Sequence, residues 1–451
     1  MSVLKYIRVK NVLKFIFGRP ASGKTYQILE KIKRQNAAGR HCVLIVPEQF
    51  SFESERAVLR ALGDKAALGV TVTSFTRLCD EVGRYAGGIA GVTLTDAQKV
   101  IFMNRALRSL ETELTLWRKY CRSVSFAKTM LDTVGEFKIN AVSPENLRAA
   151  AEETESAALK AKLWNTALIY ETYDALVGER FLDPADRLTK LYRQLEDFHY
   201  FEKKDVFIDS FKGFTGQQFA LIDRILAQAD NLTVALTDAP EIEGEFGIFS
   251  NIRISAEKIR RAAKRYRMAE DEPLILGARG TAAAGIVAVE RLISGGTPEK
   301  TENDGSLTVC AADTAAEEAE FAVRNIRRLV RTENYRYRDF VIIARDAERY
   351  DDFINAACET YGVPCFSDKR RPLSAFPLAA LADAAIQAIL KNDSESILRF
   401  HKTGLGTLNT DEIAKLENYI TLWNIEGDMW RREWVMDVRG FVSDDTEPDE
   451  K

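Results

Sequence analysis

Short apolar runs that lead straight into turn residues alternate with segments of helical spacing over the first part of the chain. Residues 13–17 read as a buried strand. Residues 25–35 carry Ile28, Leu29 and Ile32 on one face of a helix, 42–46 form a second apolar run closed by Pro47, and 70–72 a third. Strands alternating with helices predict a parallel α/β sheet. From about residue 95 charged and apolar residues mix at helical period, with Pro144 and Pro184 following Ser143 and Asp183 as cap-then-proline helix starts. Strand character returns at 206–208 and 232–236, so an α/β domain is interrupted by a helical block and then resumed. Residues 295–305, rich in Gly, Pro, Thr, Asn, Asp and Glu, are the best linker. Beyond them a strand (307–311), an amphipathic helix (315–331) and a strand (340–344) predict the start of a second α/β domain. The acidic, polar end at 444–451 reads as a chain stopping inside a domain.

Composition narrows this picture only a little. The chain has 451 residues, enough for two or three domains, and 46% hydrophobic residues, which supports a large core. A net charge of −4 argues against a polybasic binder but leaves room for a local basic stripe. The six cysteines (Cys42, Cys79, Cys121, Cys310, Cys358, Cys365) are scattered, and His41, His199 and His401 show no ligand spacing. Neither a zinc site nor a disulfide framework is suggested. No membrane-length apolar run and no secretory signal pattern occur, so the expected location is the cytoplasm, with no membrane partner.

Specific chemistry enters at Gly18-Arg-Pro-Ala-Ser22-Gly23-Lys24-Thr25, which fits the phosphate-binding loop G-x-x-x-x-G-K-[ST] between a predicted strand and a predicted helix. The glycines let backbone N–H groups curl around phosphate oxygens, and the helix start adds partial positive charge. Lys24 supplies a full charge to the terminal phosphates, and the Thr25 hydroxyl can ligate Mg²⁺. An acidic strand end should complete the metal site, and Val206-Phe-Ile-Asp209-Ser210 offers Asp209. The next position, where a DExx-type ATPase carries its general base, is Ser210. A serine hydroxyl is no strong base near neutral pH. ATP binding with weak or absent turnover is therefore expected, and no residue is assigned a catalytic role.

The order GRPASGKT, VLIVPEQFSFESE, VTVTSFTRL, FIDSFKGFTGQQ, YRYRDFVIIARD, GVPCFSDKRRPLSAFPLA and FHKTGL resembles the AddB family of AddAB-type ATP-dependent helicase/nucleases over most of the chain. The resemblance implies a superfamily-1-like P-loop helicase core that has lost motor activity. Its first RecA-like domain would be split between 1–94 and 197–295, around a helical insertion at 95–196. A second, truncated RecA-like domain would cover 306–395, followed by the start of another helical insertion at 396–451. It implies an AddA-type partner in a heterodimer, action on single- and double-stranded DNA during double-strand-break repair, and an association with sensing the recombination hotspot Chi. The family's nuclease domain and its iron–sulfur cluster would lie beyond this chain, so the cysteines here are not cluster ligands.

Carried over residue by residue, Gly18, Ser22, Gly23, Lys24 and Thr25 sit where the phosphates bind, and Asp209 at the first acidic position of the second motif. Gln218 resembles the glutamine that follows it in active relatives. Arg345 resembles an arginine reaching the γ-phosphate from the second domain, and Thr73 and Ser74 resemble a motif that touches single-stranded DNA. Asn11 and Lys14 stand where an adenine-reading Gln would precede the loop. Lys369, Arg370 and Arg371 form a basic cluster suited to a DNA backbone, and Lys258 to Arg267 carries six basic residues that a helix could gather on one face. Phe75, Phe211, Phe214 and Phe366 fit either base stacking or the core. Two other classes compete with a dead-motor component: an autonomous P-loop ATPase acting on nucleic acid, and a protein whose P-loop is purely structural.

Overall fold

The computed structural model describes residues 11–440 except 88–90, 179, 241–246, 278–282, 298–299, 303, 368–372 and 439. The chain divides into two compact units, Met1–Thr308 and Val309–Lys451.

The first unit is built on a parallel sheet. Its strands are β1 (Val12–Gly18), β2 (His41–Ile45), β3 (Val70–Thr73), β6 (Lys204–Phe211), β7 (Asn231–Thr237), β8 (Ala269–Glu270) and β9 (Leu274–Leu276). A separate short parallel ladder joins β4 (Val92–Thr93) to β5 (Phe181–Leu182). The sheet order is β3-β2-β6-β7-β1-β8, with β9 also pairing β1. Both faces are covered. Leu13, Phe15, Val43, Ile45, Val206, Ile208, Leu232 and Val234 pack toward the helices Phe75–Ala86, Arg187–Asp197, Gly216–Gln228 and Ser250–Arg265. On the opposite face Ile16, Cys42, Leu44, Phe207 and Ala235 meet Ile28 and Ile32 of the helix Lys24–Ala37. Burial on both faces is why these strands read as continuous apolar runs rather than alternating ones. Because the pairing is parallel, the carboxyl ends of β1, β6 and β7 lie along one edge, where open α/β sheets bind ligands.

The helical block between β4 and β5 has its own core, including Met103, Leu107, Leu114 and Tyr173. Ser143 caps the helix Pro144–Glu153 with proline in its first turn, and Asp183 caps the short 3₁₀ turn Pro184–Asp186, as the sequence predicts. At its centre Lys138 is buried among Asp174 (2.7 Å), Asp186 (2.7 Å) and Asp183 (3.3 Å), and Asp183 also accepts from Tyr173. The block is tied to the sheet domain through Gln217, whose amide donates to the Ala185 carbonyl (2.7 Å) and the Thr189 hydroxyl (2.9 Å). Gly216 makes that approach feasible, since a Cβ there would fall 2.0 Å from the Asn140 carbonyl oxygen.

The second unit is helical among its described residues, with helices Ala315–Thr332, Ala347–Tyr361, Pro377–Lys391, Ser394–Lys402 and Thr410–Trp423. The helix expected at 315–331 is present. The strands expected at 307–311 and 340–344 are not: neither run pairs with any described strand, and Val309, Val341 and Ile343 are 87%, 79% and 86% exposed. An apolar run becomes a strand only when a neighbour takes up its backbone hydrogen bonds, and no described residue of this unit does so.

Candidate nucleotide site

At the carboxyl end of β1 the chain leaves the sheet at Gly18 and turns through Ala21 (φ 58) and Gly23 (φ 94, ψ 22) into the helix that begins at Lys24. Left-handed residues within a short turn point successive N–H groups inward, making an anion-binding concavity at a helix start. Gly18 is required by crowding: a Cβ would stand 2.4 Å from Ser22 Oγ and 3.0 Å from Leu276 Cβ. Ser22 Oγ is buried without any hydrogen-bond partner. Lys24 Nζ donates to the Gly18 and Arg19 carbonyls, both at 2.8 Å, so its hydrogen bonds go to its own loop and not to a carboxylate. An orphaned hydroxyl and a lysine hydrogen-bonded only to carbonyls, in one concave loop, fit the oxygens of a phosphate chain.

The end of β6 completes the arrangement. Thr25 Oγ1 donates to Asp209 Oδ2 at 2.7 Å, and Asp209 Oδ1 accepts from the Ser210 N–H at 2.7 Å. Burial lowers the Lys24 pKa below the ordinary lysine value, partly opposed by the Asp209 charge. Burial likewise raises the Asp209 pKa, opposed by the Thr25 hydroxyl, the Ser210 N–H and Lys24. Each charged form is thus less comfortable here than in water. A nucleotide with its divalent cation would supply the anion that Lys24 needs and the cation that Asp209 needs.

Ser210 sits in a left-handed conformation (φ 68), where the register between β6 and β7 shifts between Ile208 and Phe211, and it is exposed while its neighbours on the strand are buried. The position expected to carry a general base thus holds an exposed serine at an irregularity of the strand. This bulge was not foreseen from sequence. Nor was the ion pair between Arg19 and Glu290 (2.5 Å), which ties the helix Ala284–Ile293 to the loop across 271 residues.

Other expected site residues are placed differently. Thr73 and Ser74 are buried. Ser74 caps the helix Phe75–Ala86, accepting from Arg77 N at 3.1 Å and donating to Glu48, while the Thr73 hydroxyl donates to the Ser74 carbonyl at 3.2 Å. Capping leaves neither hydroxyl facing solvent. Gln218 is spent in a capping box with Thr215, accepting from its N–H at 3.0 Å. Asn11 bonds the Ala229 carbonyl and Lys14 pairs with Asp271. Arg345 belongs to the second unit, where it lines a cleft of about 420 Å³ with Glu318, Ile342, Ile343, Arg349 and Tyr350. Lys369, Arg370 and Arg371 lie outside the described residues.

The basic run at Lys258 to Arg267 does form a helical face, but much of its charge is already matched. Arg260 pairs with Glu270, Arg261 with Glu257 and Arg265 with Asp223, while Lys258 lies 4.9 Å from the centre of the Phe219 ring. Phe75 and Phe211 are core residues packed edge to face at 5.4 Å, and Phe214 packs against them. Phe366 is 89% exposed. Among the described residues no group of three or more His, Cys, Asp or Glu is placed to hold a metal, and no helix is long and apolar enough to cross a membrane.

Comparison with known proteins agrees with the pattern of motifs. Residues 15–284 match the family described as "ADDB, N-terminal". Among curated proteins, the B subunit of the ATP-dependent helicase/deoxyribonuclease of Caldanaerobacter subterraneus subsp. tengcongensis is 31% identical over 432 residues. The match covers 94% of this chain and 37% of that protein. The proteins of the same name from Clostridium tetani and Acetivibrio thermocellus are each 30% identical, over 443 and 440 residues, covering 95% and 94% of this chain and 38% of their own length. The chain thus spans about two-fifths of the length of the curated relatives it matches. With the matched region covering more than half of its residues, including β1, the phosphate-binding loop and Asp209, the chain belongs to the AddB N-terminal family.

Proposed function

We propose that this chain is the nucleotide-binding, helicase-like part of an AddB-type component of an ATP-dependent helicase/nuclease. In this reading it works beside an AddA-type partner on DNA ends during recombinational repair and acts as a strand-holding scaffold rather than a motor. The carrying observation is the pairing of the Lys24–Thr25–Asp209 arrangement with a serine, exposed at a left-handed bulge, at the position that follows Asp209.

In this reading the N–H groups of the loop from Gly18 to Thr25 hold the phosphates of ATP. The Lys24 ammonium moves from the Gly18 and Arg19 carbonyls onto the terminal phosphates, and the Ser22 hydroxyl gains the partner it lacks. Thr25 and Asp209 would hold Mg²⁺, which neutralises phosphate charge when bound. Ser210 would not take a proton from water, so the site would bind far better than it turns over. The first unit's sheet, from 1–94 and 197–295, would be one RecA-like domain, and 306–395, helical among its described residues, would belong to a second. Thr73 and Ser74 would mark the segment that lies near single-stranded DNA, and Arg345 would be the second unit's candidate for a phosphate contact. Sensing of Chi fits the same role. The family's iron–sulfur cluster would belong to parts of the relatives that this chain does not cover.

An autonomous P-loop ATPase is the competing reading, favoured by the completeness of Lys24, Thr25 and Asp209 and opposed by Ser210. Single-turnover and steady-state hydrolysis of Mg-ATP, with and without oligonucleotide, separates the two. The dead-motor reading expects saturable binding with negligible turnover, and robust DNA-stimulated turnover overturns it.

A further inference from the structure

The second unit carries a concentrated positive surface that the nucleotide site does not use. On the helix Ala315–Thr332, Arg324, Arg327, Arg328 and Arg331 follow the i, i+3, i+4, i+7 spacing that stacks side chains along one face. With Thr332 and Tyr361 they line a shallow cleft of about 510 Å³. A neighbouring face, through Val323 and Ile326, is packed into the unit's small core with Ala357, Cys358 and Val363. The arginine face is therefore held outward by the burial of the other.

Its charge is poorly matched. Arg324 reaches Glu320 only at 3.7 Å and Arg328 reaches Glu333 at 3.5 Å, in both cases on the surface. Among the described residues Arg327 and Arg331 have no ion-pair partner, and Glu320 is additionally engaged by the Tyr361 hydroxyl. The basic helix Ser250–Arg265 shows the alternative, because there Arg260, Arg261 and Arg265 each have a close carboxylate. Favourable interaction with the helix dipole explains cations in the last turn, such as Arg331, but does not reach back to Arg324. Like charges at these spacings destabilise a helix. Four guanidiniums on one stripe are thus unfavourable for the unit in isolation and favourable once an anion covers them. All four are arginine, whose planar fork matches phosphate in two-point fashion. The stripe runs along about 10 Å of helix axis, the reach of a few consecutive phosphates of one strand.

We propose that the Arg324–Arg327–Arg328–Arg331 face is a phosphate-backbone docking surface for a single nucleic-acid strand. The proposal rests on the reading above that this chain handles DNA, and it names a further place for the contact, outside the basic run at 258–267 and the Thr73–Ser74 segment.

The test is fluorescence anisotropy of a labelled oligothymidylate against the 451-residue chain over a series of salt concentrations. Wild type is compared with Arg327→Glu/Arg331→Glu, and Mg-nucleotide binding and far-UV circular dichroism serve as controls for folding. The charge reversal should weaken binding by roughly tenfold or more, alike for oligonucleotides of different base composition, and flatten the salt slope by about 1.4. Nucleotide binding should stay intact. If charge reversal prevents folding, Arg327→Gln/Arg331→Gln gives the same comparison with a smaller loss. Wild-type binding that the variant retains in full, slope included, overturns the surface and leaves the DNA-handling reading standing. A wild type that binds no oligonucleotide overturns both. A wild type that ignores oligonucleotide but binds polyglutamate through these arginines shows that the face takes an acidic protein instead.

Discussion

Lys138 and Lys24 are both drawn away from water, and the protein treats them in opposite ways. Around Lys138 three aspartates converge from the helix Ala157–Val177 and the turn at Asp183–Asp186. Burial alone would lower its pKa, but Asp186, Asp174 and Asp183 more than offset that and hold it above the ordinary lysine value. Lys24 meets two carbonyl oxygens and a single carboxylate that is itself bound to Thr25, and burial wins, so its pKa falls. The first lysine is finished by the fold and belongs to stability. The second is left wanting an anion and belongs to function.

The largest expected effect breaks the finished site. Lys138→Met keeps most of the side-chain volume but leaves the buried Asp183 carboxylate without its ion pair, beside the partly exposed Asp174 and Asp186. It should lower stability by about 3–5 kcal/mol, read by urea denaturation. A change within error would mean that the aspartates are solvated and the contrast with Lys24 is empty. Lys24→Ala should do the reverse. It should weaken Mg-nucleotide binding roughly 10- to 100-fold, the worth of about 1.5–3 kcal/mol in a charged hydrogen bond, with no fall in the thermal midpoint of the ligand-free chain. A clear loss of stability would place Lys24 with Lys138 as a structural residue.

Ser210 sharpens the same contrast on the acidic side. Placing a carboxylate there by Ser210→Glu should produce no ATPase activity, because position 210 is exposed at a left-handed bulge whereas Asp209 is buried. Turnover in that variant would show that the missing side chain was the whole lesion. Ser210→Gly should stabilise the chain by about 1 kcal/mol by relieving the positive φ, measured as a shift in denaturation midpoint.

The smallest effect is in pH. A lysine with a lowered pKa loses its proton earlier as pH rises, and an aspartate with a raised pKa gains one earlier as pH falls. The thermal shift produced by Mg-nucleotide should therefore be confined to a narrower window than ordinary lysine and aspartate would give, fading on both sides. In the ligand-free chain the signs run the other way. Stability attached to the raised Asp209 is present at low pH and lost as pH rises through its folded value, whereas that attached to Lys24 is gained as pH rises through its own lowered value. Lys138, with its raised value, keeps its contribution until pH passes the ordinary lysine range. A nucleotide-induced shift that stays flat across the whole range would remove the basis for separating the two lysines.

The sheet was readable in the sequence because parallel strands buried on both faces must be apolar throughout. Residues 13–17, 42–46, 206–208 and 232–236 lie in β1, at β2, in β6 and in β7. The phosphate-binding loop and the caps at Ser143 and Asp183 were readable because their chemistry is local. What stayed hidden depends on distant partners. Arg265 of the basic run is quenched by Asp223, 42 residues away in sequence, and Lys138 finds carboxylates 36 to 48 residues on. The apolar runs at 307–311 and 340–344 had strand composition but no described neighbour to pair with. The hydroxyls of Thr73 and Ser74 and the amide of Gln218 looked available for ligands until the ends of two helices claimed Ser74 and Gln218. The arginine stripe could have been found by asking which charges share a helical face rather than which are adjacent in the chain.

The most direct test of the central claim is paired: Mg-ATP binding by calorimetry and DNA-stimulated hydrolysis, each on the wild-type chain and on Lys24→Ala. The account predicts binding that the substitution abolishes or severely weakens, with negligible turnover in both proteins. Robust turnover that depends on Lys24 would contradict it and would require a base near Asp209 other than Ser210.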